Sequence, residues 1–148
     1  MYFVDREKMD ARLTYFDKQI QSLEAKKTWN QTEWEMLAYE RICHLCIEII
    51  LDVGNAIIDG FIMRDPGSYD DIIDILLDEK VIMQEDADGL KEVIALRKVV
   101  VQEYLEVNHD ELLRTMGSNL KYLKSFPANV RRYVEKELGP VTAFKPLQ

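Results

Sequence analysis

An arginine set into an apolar helix stripe is the first residue whose chemistry needs explaining. Plotted at about 100° per residue, the stretch Leu90 to Glu106 puts Leu90, Val93, Ile94, Val100, Val101, Tyr104 and Leu105 on one face. Lys91, Glu92, Lys98, Gln102, Glu103 and Glu106 fall on the other. Arg97 lies near the middle of the apolar face, with Tyr104 two turns further along the same stripe. A guanidinium keeps its proton, and burying it unpaired is strongly unfavourable. Arg97 must therefore meet a carboxylate, a row of carbonyls, or a pocket that admits water or an anionic ligand. The best-placed carboxylates are Glu48 and Asp52 on a long helix earlier in the chain. Two roles stay open: a structural salt bridge, or an anion site.

Two other clusters look chemical and carry less. Cys43-His44-Leu45-Cys46 has the outline of a metal or redox motif. Zinc needs further ligands, none is clustered elsewhere, and helical phase sends Cys46 to the apolar side, so buried fillers are expected and no metal site. The acids Asp70, Asp71, Asp74 and Asp78 lack the glycine and loop spacing of a calcium loop and read as a solvated helix face. There is no glycine-rich phosphate loop, no GxSxG and no HExxH, and nothing in the sequence calls for a cofactor.

The elements that must hold these residues are all helical. Met9, Leu13, Phe16, Ile20 and Leu23 recur at helical intervals over 5–26, with Asp5 as a cap. Thr32 and Glu35 form a capping box for a helix over 33–63. In its second half Arg41, His44, Glu48, Asp52, Asn55 and Asp59 fall within about a quarter of the circumference, and the rest is nearly all apolar. Such a helix is central to a bundle or to a subunit interface, and its polar stripe is a solvated seam or one wall of a cleft. Arg64-Asp65-Pro66-Gly67 ends it, and Ser68 or Asp70 starts another helix. The arginine-bearing helix begins near Glu85. Asn108 caps a helix through about Ser125, and Pro127 opens a last short helix that ends at Leu138, before Gly139-Pro140. Residues 139–148 read as a loose tail. No stretch alternates as a strand. The expectation is one all-α domain over 1–148, an antiparallel bundle of five to six helices.

A chain of 148 residues, 47% hydrophobic, can bury a sizeable core. Its net charge of −8 argues against bulk electrostatic binding of nucleic acid. Charge is uneven, however: residues 1–90 carry 9 basic and 20 acidic side chains, and residues 91–148 carry 10 and 7. An anionic ligand fits the second half better. Two cysteines on one helix exclude a disulfide framework, the N-terminus lacks a signal-peptide core, and 42–63 is too polar to span a membrane. A cytoplasmic protein is expected.

The stretch ALRKVVVQEYLEVN resembles the HepT-like branch of the HEPN superfamily: small all-helical proteins, many of them ribonuclease toxins paired with a minimal nucleotidyltransferase antitoxin. The family motif is an arginine, usually followed by asparagine, then a histidine five residues after the arginine, any residue, and a tyrosine. Arg97 and Tyr104 match it, and PGSYDDIIDILLDEKVI resembles the family's proline-tyrosine-leucine segment. Lys98 stands where asparagine is usual and Gln102 where the histidine is expected. In the family that histidine moves the proton when the RNA 2′-hydroxyl attacks the adjacent phosphate, without a metal. A glutamine amide can only exchange hydrogen bonds. His109 lies past the expected helix end, and His44 could replace the histidine only if the long helix faces the motif.

The resemblance implies a toxin-family homodimer that binds RNA or nucleotide phosphate in a cleft at the dimer interface, with weak or lost ribonuclease activity. Arg97 would hold phosphate, Lys98 would add charge, and Gln102 would orient the ligand. The alternative is a non-catalytic protein that binds a nucleotidyltransferase, with Tyr104 as the acceptor of AMP. A third possibility is a bundle without a ligand site, in which Arg97 only fixes helix register.

Overall fold

The structure is a computed structural model that describes residues 2–139. Apart from Gly139, the expected tail lies outside the described residues. Among the described residues, six α-helices follow in order: α1 (Arg6–Glu24), α2 (Glu33–Gly60), α3 (Tyr69–Asp78), α4 (Gln84–Ala95), α5 (His109–Ser118) and α6 (Leu120–Leu138). A single π turn, Lys98–Gln102, lies between α4 and α5.

Local signals set most of the starts. Asp5 accepts the Lys8 N–H, Ser68 accepts that of Asp71, and Asn108 accepts that of Glu111. Thr32 and Glu35 close the capping box, each satisfying a backbone donor that the first turn leaves free. α2 stops where Ile62 turns left-handed at φ 54° and the Met63 N–H reaches back to the Ile58 carbonyl at 2.9 Å.

α2 is the central element. Ile47, Ile50, Val53 and Ile57 are fully buried, and α2 packs against α1, α3, α5 and the π turn. Most of its apolar side chains are therefore covered within the chain. α1 and α6 meet through Phe16 and Phe126, ring centroids 5.7 Å apart. α4 packs on α6 at Gly89, where a Cβ would collide with the Tyr122 ring and stand 2.8 Å from Asn119 Oδ1.

Two helix boundaries differ from the sequence expectation, for local reasons. The helix expected to run to Glu106 stops at Ala95, and Leu96 closes it by donating to the Val93 carbonyl at 3.0 Å. The run Val99-Val100-Val101 crowds an α-helix, because β-branched side chains lose rotamer freedom against the preceding turn. The chain widens instead into the π turn, closed by the Glu103 N–H on the Lys98 carbonyl at 2.9 Å. The helix expected to reach Ser125 breaks at Asn119, whose amide donates to Thr115 O and to Glu92. Pro127 consequently lies inside α6 rather than in the first turn of a short helix. Gly117-Ser118-Asn119 was the signal: three residues that favour a helix end.

Candidate functional site: an arch over the polar stripe of α2

The segment 98–108 is pinned at both ends to one stripe of α2. Before it, Arg97 Nε donates to Glu48 Oε1 at 2.8 Å. After it, His109 Nε2 lies 2.8 Å from Glu40 Oε2. Glu40 and Glu48 are eight residues apart on α2, two helical turns, roughly 12 Å along the axis. The segment between the two pins forms an arch. Val99, Val100 and Val107 pack down onto the core, whereas Lys98, Gln102, Glu103, Tyr104, Leu105 and Glu106 are exposed. His44 lies between the two carboxylates on the same stripe, with Nε2 3.7 Å from Glu48 Oε1.

Arg97 is held on a second side. Its guanidinium carbon sits 4.8 Å from the centroid of the Tyr69 ring, within cation–π range. Tyr69 is the first residue of α3, and that helix end is fixed by Arg64, whose Nη1 and Nη2 donate to the Asp71 carboxylate at 2.7 and 2.8 Å. The Gly67 N–H adds a third donor at 2.9 Å. Together they hold the Asp71 carboxyl down at about 2, with the Arg64 hydrogen bond the largest cause. Glu48 likewise drives the Arg97 pKa further upward, so the guanidinium stays charged.

The Arg97 side chain is 22% exposed and that of Glu48 36%. Only Nε of Arg97 has a side-chain hydrogen-bond partner, and among the described residues no buried side-chain nitrogen or oxygen lacks one. The two Nη atoms therefore face solvent. Nε is committed to Glu48, the flat face lies on Tyr69, and the outer edge remains available to an anion.

The other expected site residues fall around this centre. Asp52, one turn past Glu48, is exposed and does not reach Arg97. Lys98 and Gln102 are exposed on the arch, and among the described residues neither makes a side-chain hydrogen bond or ion pair. Residues five apart lie about 140° apart around an α-helix and about 50° apart around a π turn, and Gln102 is the last residue of this one. Tyr104 and Leu105, expected on the buried stripe, are 65% and 92% exposed. The helix that would have buried them has already ended. They line a shallow depression with Gln102, Glu103 and Glu106.

Cys43 and Cys46 are buried free thiols. Burial pushes both upward, Cys46 to about 12. The acidic face of α3 is engaged by cations: Asp71 and Asp78 by Arg64, and Asp74 by Lys91. Tyr69 and the Glu40–His109 pair were not singled out from sequence. The i, i+4, i+8 spacing of Glu40, His44 and Glu48 was the available signal for the second pin.

Similarity to known proteins follows the same outline. Residues 10–130 match the family model HepT-like, described as Ribonuclease HepT-like. The chain is 52% identical over 145 residues to the protein named Putative RNase YutE of Bacillus subtilis (strain 168), covering 98% of this chain and 100% of that one. It is 29% identical over 91 residues to mRNA nuclease HepT of Shewanella oneidensis, covering 62% of this chain and 65% of that protein. The solved structure of YutE, described as a cytosolic protein of unknown function from Bacillus subtilis, superposes with a TM-score of 0.93 at 52% identity, over 97% of this chain and 100% of that one. A tri-AMPylated Shewanella oneidensis HEPN toxin in complex with MNT antitoxin gives a TM-score of 0.72 at 22% identity, over 89% and 99%. That last likeness is one of fold alone. No helix among the described residues is long and apolar enough to cross a membrane. With the family model spanning most of its length and a relative 52% identical from end to end, this chain belongs to the HepT-like ribonuclease family.

Proposed function

We propose that this protein is a toxin-type, metal-independent ribonuclease of low activity that takes an RNA phosphate at Arg97. The observation that carries the reading is the guanidinium itself: charged, oriented by Glu48 and Tyr69, with its outer edge open to solvent. A guanidinium edge matches two oxygens of a phosphodiester through parallel charge-assisted hydrogen bonds. Lys98 adds a second cation, and Gln102 supplies an amide that can orient the ribose or a phosphate oxygen. A homodimer would turn the open depression beside Tyr104 into a walled cleft, and the exposure of Leu105 supports a partner surface there. Domain-wide, the reading takes 1–148 as one HepT-like unit.

A chelator-resistant RNA cleavage assay on the wild type, Arg97→Ala and Gln102→His tests the reading. Weak cleavage by the wild type that disappears in Arg97→Ala is the expected result. Wild-type protein that leaves RNA intact in every condition would refute nuclease activity and shift the weight to the second reading.

In that second reading the chain works through a minimal nucleotidyltransferase partner, with Tyr104 receiving AMP. The exposed position of the Tyr104 ring on the arch favours it. An adenylylated Tyr104 would place a phosphate near Arg97 and close the cleft. Mass spectrometry of Tyr104 after incubation with the partner enzyme and ATP is the test. An unmodified Tyr104, under conditions where the enzyme modifies another family member, counts against it.

A further inference from the structure

The arch covers one titratable group that no motif assigns. His44 stands midway between the two pins, one turn from Glu40 and one turn from Glu48, with its side chain 33% exposed. Its Nε2 points at the same carboxylate oxygen that receives Arg97 Nε, 3.7 Å from one and 2.8 Å from the other. The imidazole and the guanidinium are thus no farther apart than those two contacts laid end to end, about 6.5 Å. A phosphodiester gripped by the Nη edge of Arg97 would bring an adjacent ribose hydroxyl within reach of that imidazole.

The other histidine is committed elsewhere. His109 Nε2 sits 2.8 Å from Glu40 and pins the far foot of the arch. Gln102, on the arch itself, can hydrogen-bond but cannot carry a proton. The charged and titratable groups around His44 are Glu40 and Glu48 on its own helix, Arg97 at the first foot of the arch and His109 at the second. Among them, His44 combines solvent access, a ring nitrogen, Nδ1, that makes no side-chain hydrogen bond, and proximity to the anion-binding edge.

We infer that His44 is the proton-transfer group of this ribonuclease, working from α2 beneath the arch in place of the glutamine carried on it. The inference rests on the ribonuclease reading above. His44 Nδ1, the ring nitrogen that does not face Glu48, takes the proton of the RNA 2′-hydroxyl as the 2′-oxygen forms a bond to the adjacent phosphorus. The bond from phosphorus to the 5′-oxygen breaks, and that oxygen leaves with a proton from solvent. The imidazolium returns its proton to solvent. The products are a 2′,3′-cyclic phosphate and a 5′-hydroxyl. Glu48 is a positioning residue: its carboxylate orients both the imidazole and the guanidinium.

The experiment uses the full chain and an RNA oligonucleotide, with wild type, Arg97→Ala and His44→Ala compared across pH, and with added imidazole. His44→Ala should cleave about 10²–10⁴-fold more slowly, the range typical of a lost general base. It should still bind the RNA, lose the histidine limb of the pH–rate profile, and recover part of its rate in imidazole. A merely structural histidine would not be rescued by free imidazole. His44→Ala that cleaves at the wild-type rate, or one that loses rate without imidazole rescue or any change in pH profile, overturns the role of His44 and leaves the ribonuclease reading standing. Absence of cleavage by the wild type overturns both. The end group discriminates further: a product with a 3′-hydroxyl instead of a cyclic phosphate excludes 2′-hydroxyl attack and therefore this role.

Discussion

Replacing Arg97 by methionine separates a ligand-binding arginine from one that only fixes helix register. Methionine keeps most of the stem and its packing, and removes the charge. On the stability side, three quantities enter. The Arg97–Glu48 contact is short, at 2.8 Å, but both side chains are partly exposed, at 22% and 36%. Solvent screening brings the net worth of such a pair down to about 1 kcal/mol. Glu48, once unpaired, can be hydrated where it stands, so the penalty of a stranded buried charge does not arise. Loss of the stacking on Tyr69 adds roughly 0.5–1 kcal/mol. The total is about 1–2 kcal/mol, which for a chain of this size lowers the melting temperature by roughly 2–8 °C. On the binding side, each charge-assisted hydrogen bond from an Nη atom to a phosphate oxygen is worth about 1.5–3 kcal/mol. Losing even one weakens RNA binding by roughly 10- to 100-fold. Thermal melting and fluorescence anisotropy with a labelled single-stranded RNA, at one fixed salt concentration, measure the two effects separately. A folded Arg97→Met protein whose RNA affinity stays within about twofold of the wild type would refute the site. A melting temperature that is unchanged or higher, with binding intact, would identify Arg97 as a register bridge.

Three further outcomes follow from the same structure. The Asp71 carboxyl is held at about 2 in the folded chain against an ordinary 3.8, so its pairing with Arg64 supports the fold above pH 3.8 and that support is lost as pH falls through about 2; a carboxyl NMR titration should show the low midpoint, and Arg64→Ala should move it up toward 3.8. Neither Cys43 nor Cys46 should react with a thiol reagent at pH 8 in the native protein, both should react once unfolded, and rapid native labelling would contradict their burial. Ile62 is β-branched, exposed and left-handed at φ 54°, so Ile62→Gly should stabilise the chain by about 0.5–1 kcal/mol, the steric relief outweighing the added chain entropy; a lower melting temperature would show that Ile62 is not strained.

Much of the helical framework is legible without coordinates because it is set by near neighbours. Thr32 with Glu35, Ser68 with Asp71 and Asn108 with Glu111 each satisfy a donor three residues away, and such reach is visible in the sequence. The long apolar pattern of α2 likewise reads as a central helix, because its period follows from helix geometry alone. The breaks at Leu96 and Asn119 were harder. Each turns on a local competition, three valines in one case and Gly-Ser-Asn in the other, that the apolar period overruns.

The sequence by itself determined that Arg97 needed a polar partner, with Glu48 and Asp52 the best-placed carboxylates, because a guanidinium cannot discharge in an apolar setting. It did not determine which one. Glu48 and Asp52 are one turn apart on the same stripe, and only the packing of the π turn against α2 selects Glu48 and leaves Asp52 in solvent. Tyr69 reaches the guanidinium from a third element, through a helix end fixed by Arg64. His109 finds Glu40 across 69 residues of chain. These contacts depend on how whole helices dock, and docking is the sum of many apolar contacts spread along the chain. No spacing within a single stretch encodes that sum. It makes an arch of residues 98–108, exposes Tyr104, and brings His44 beneath it.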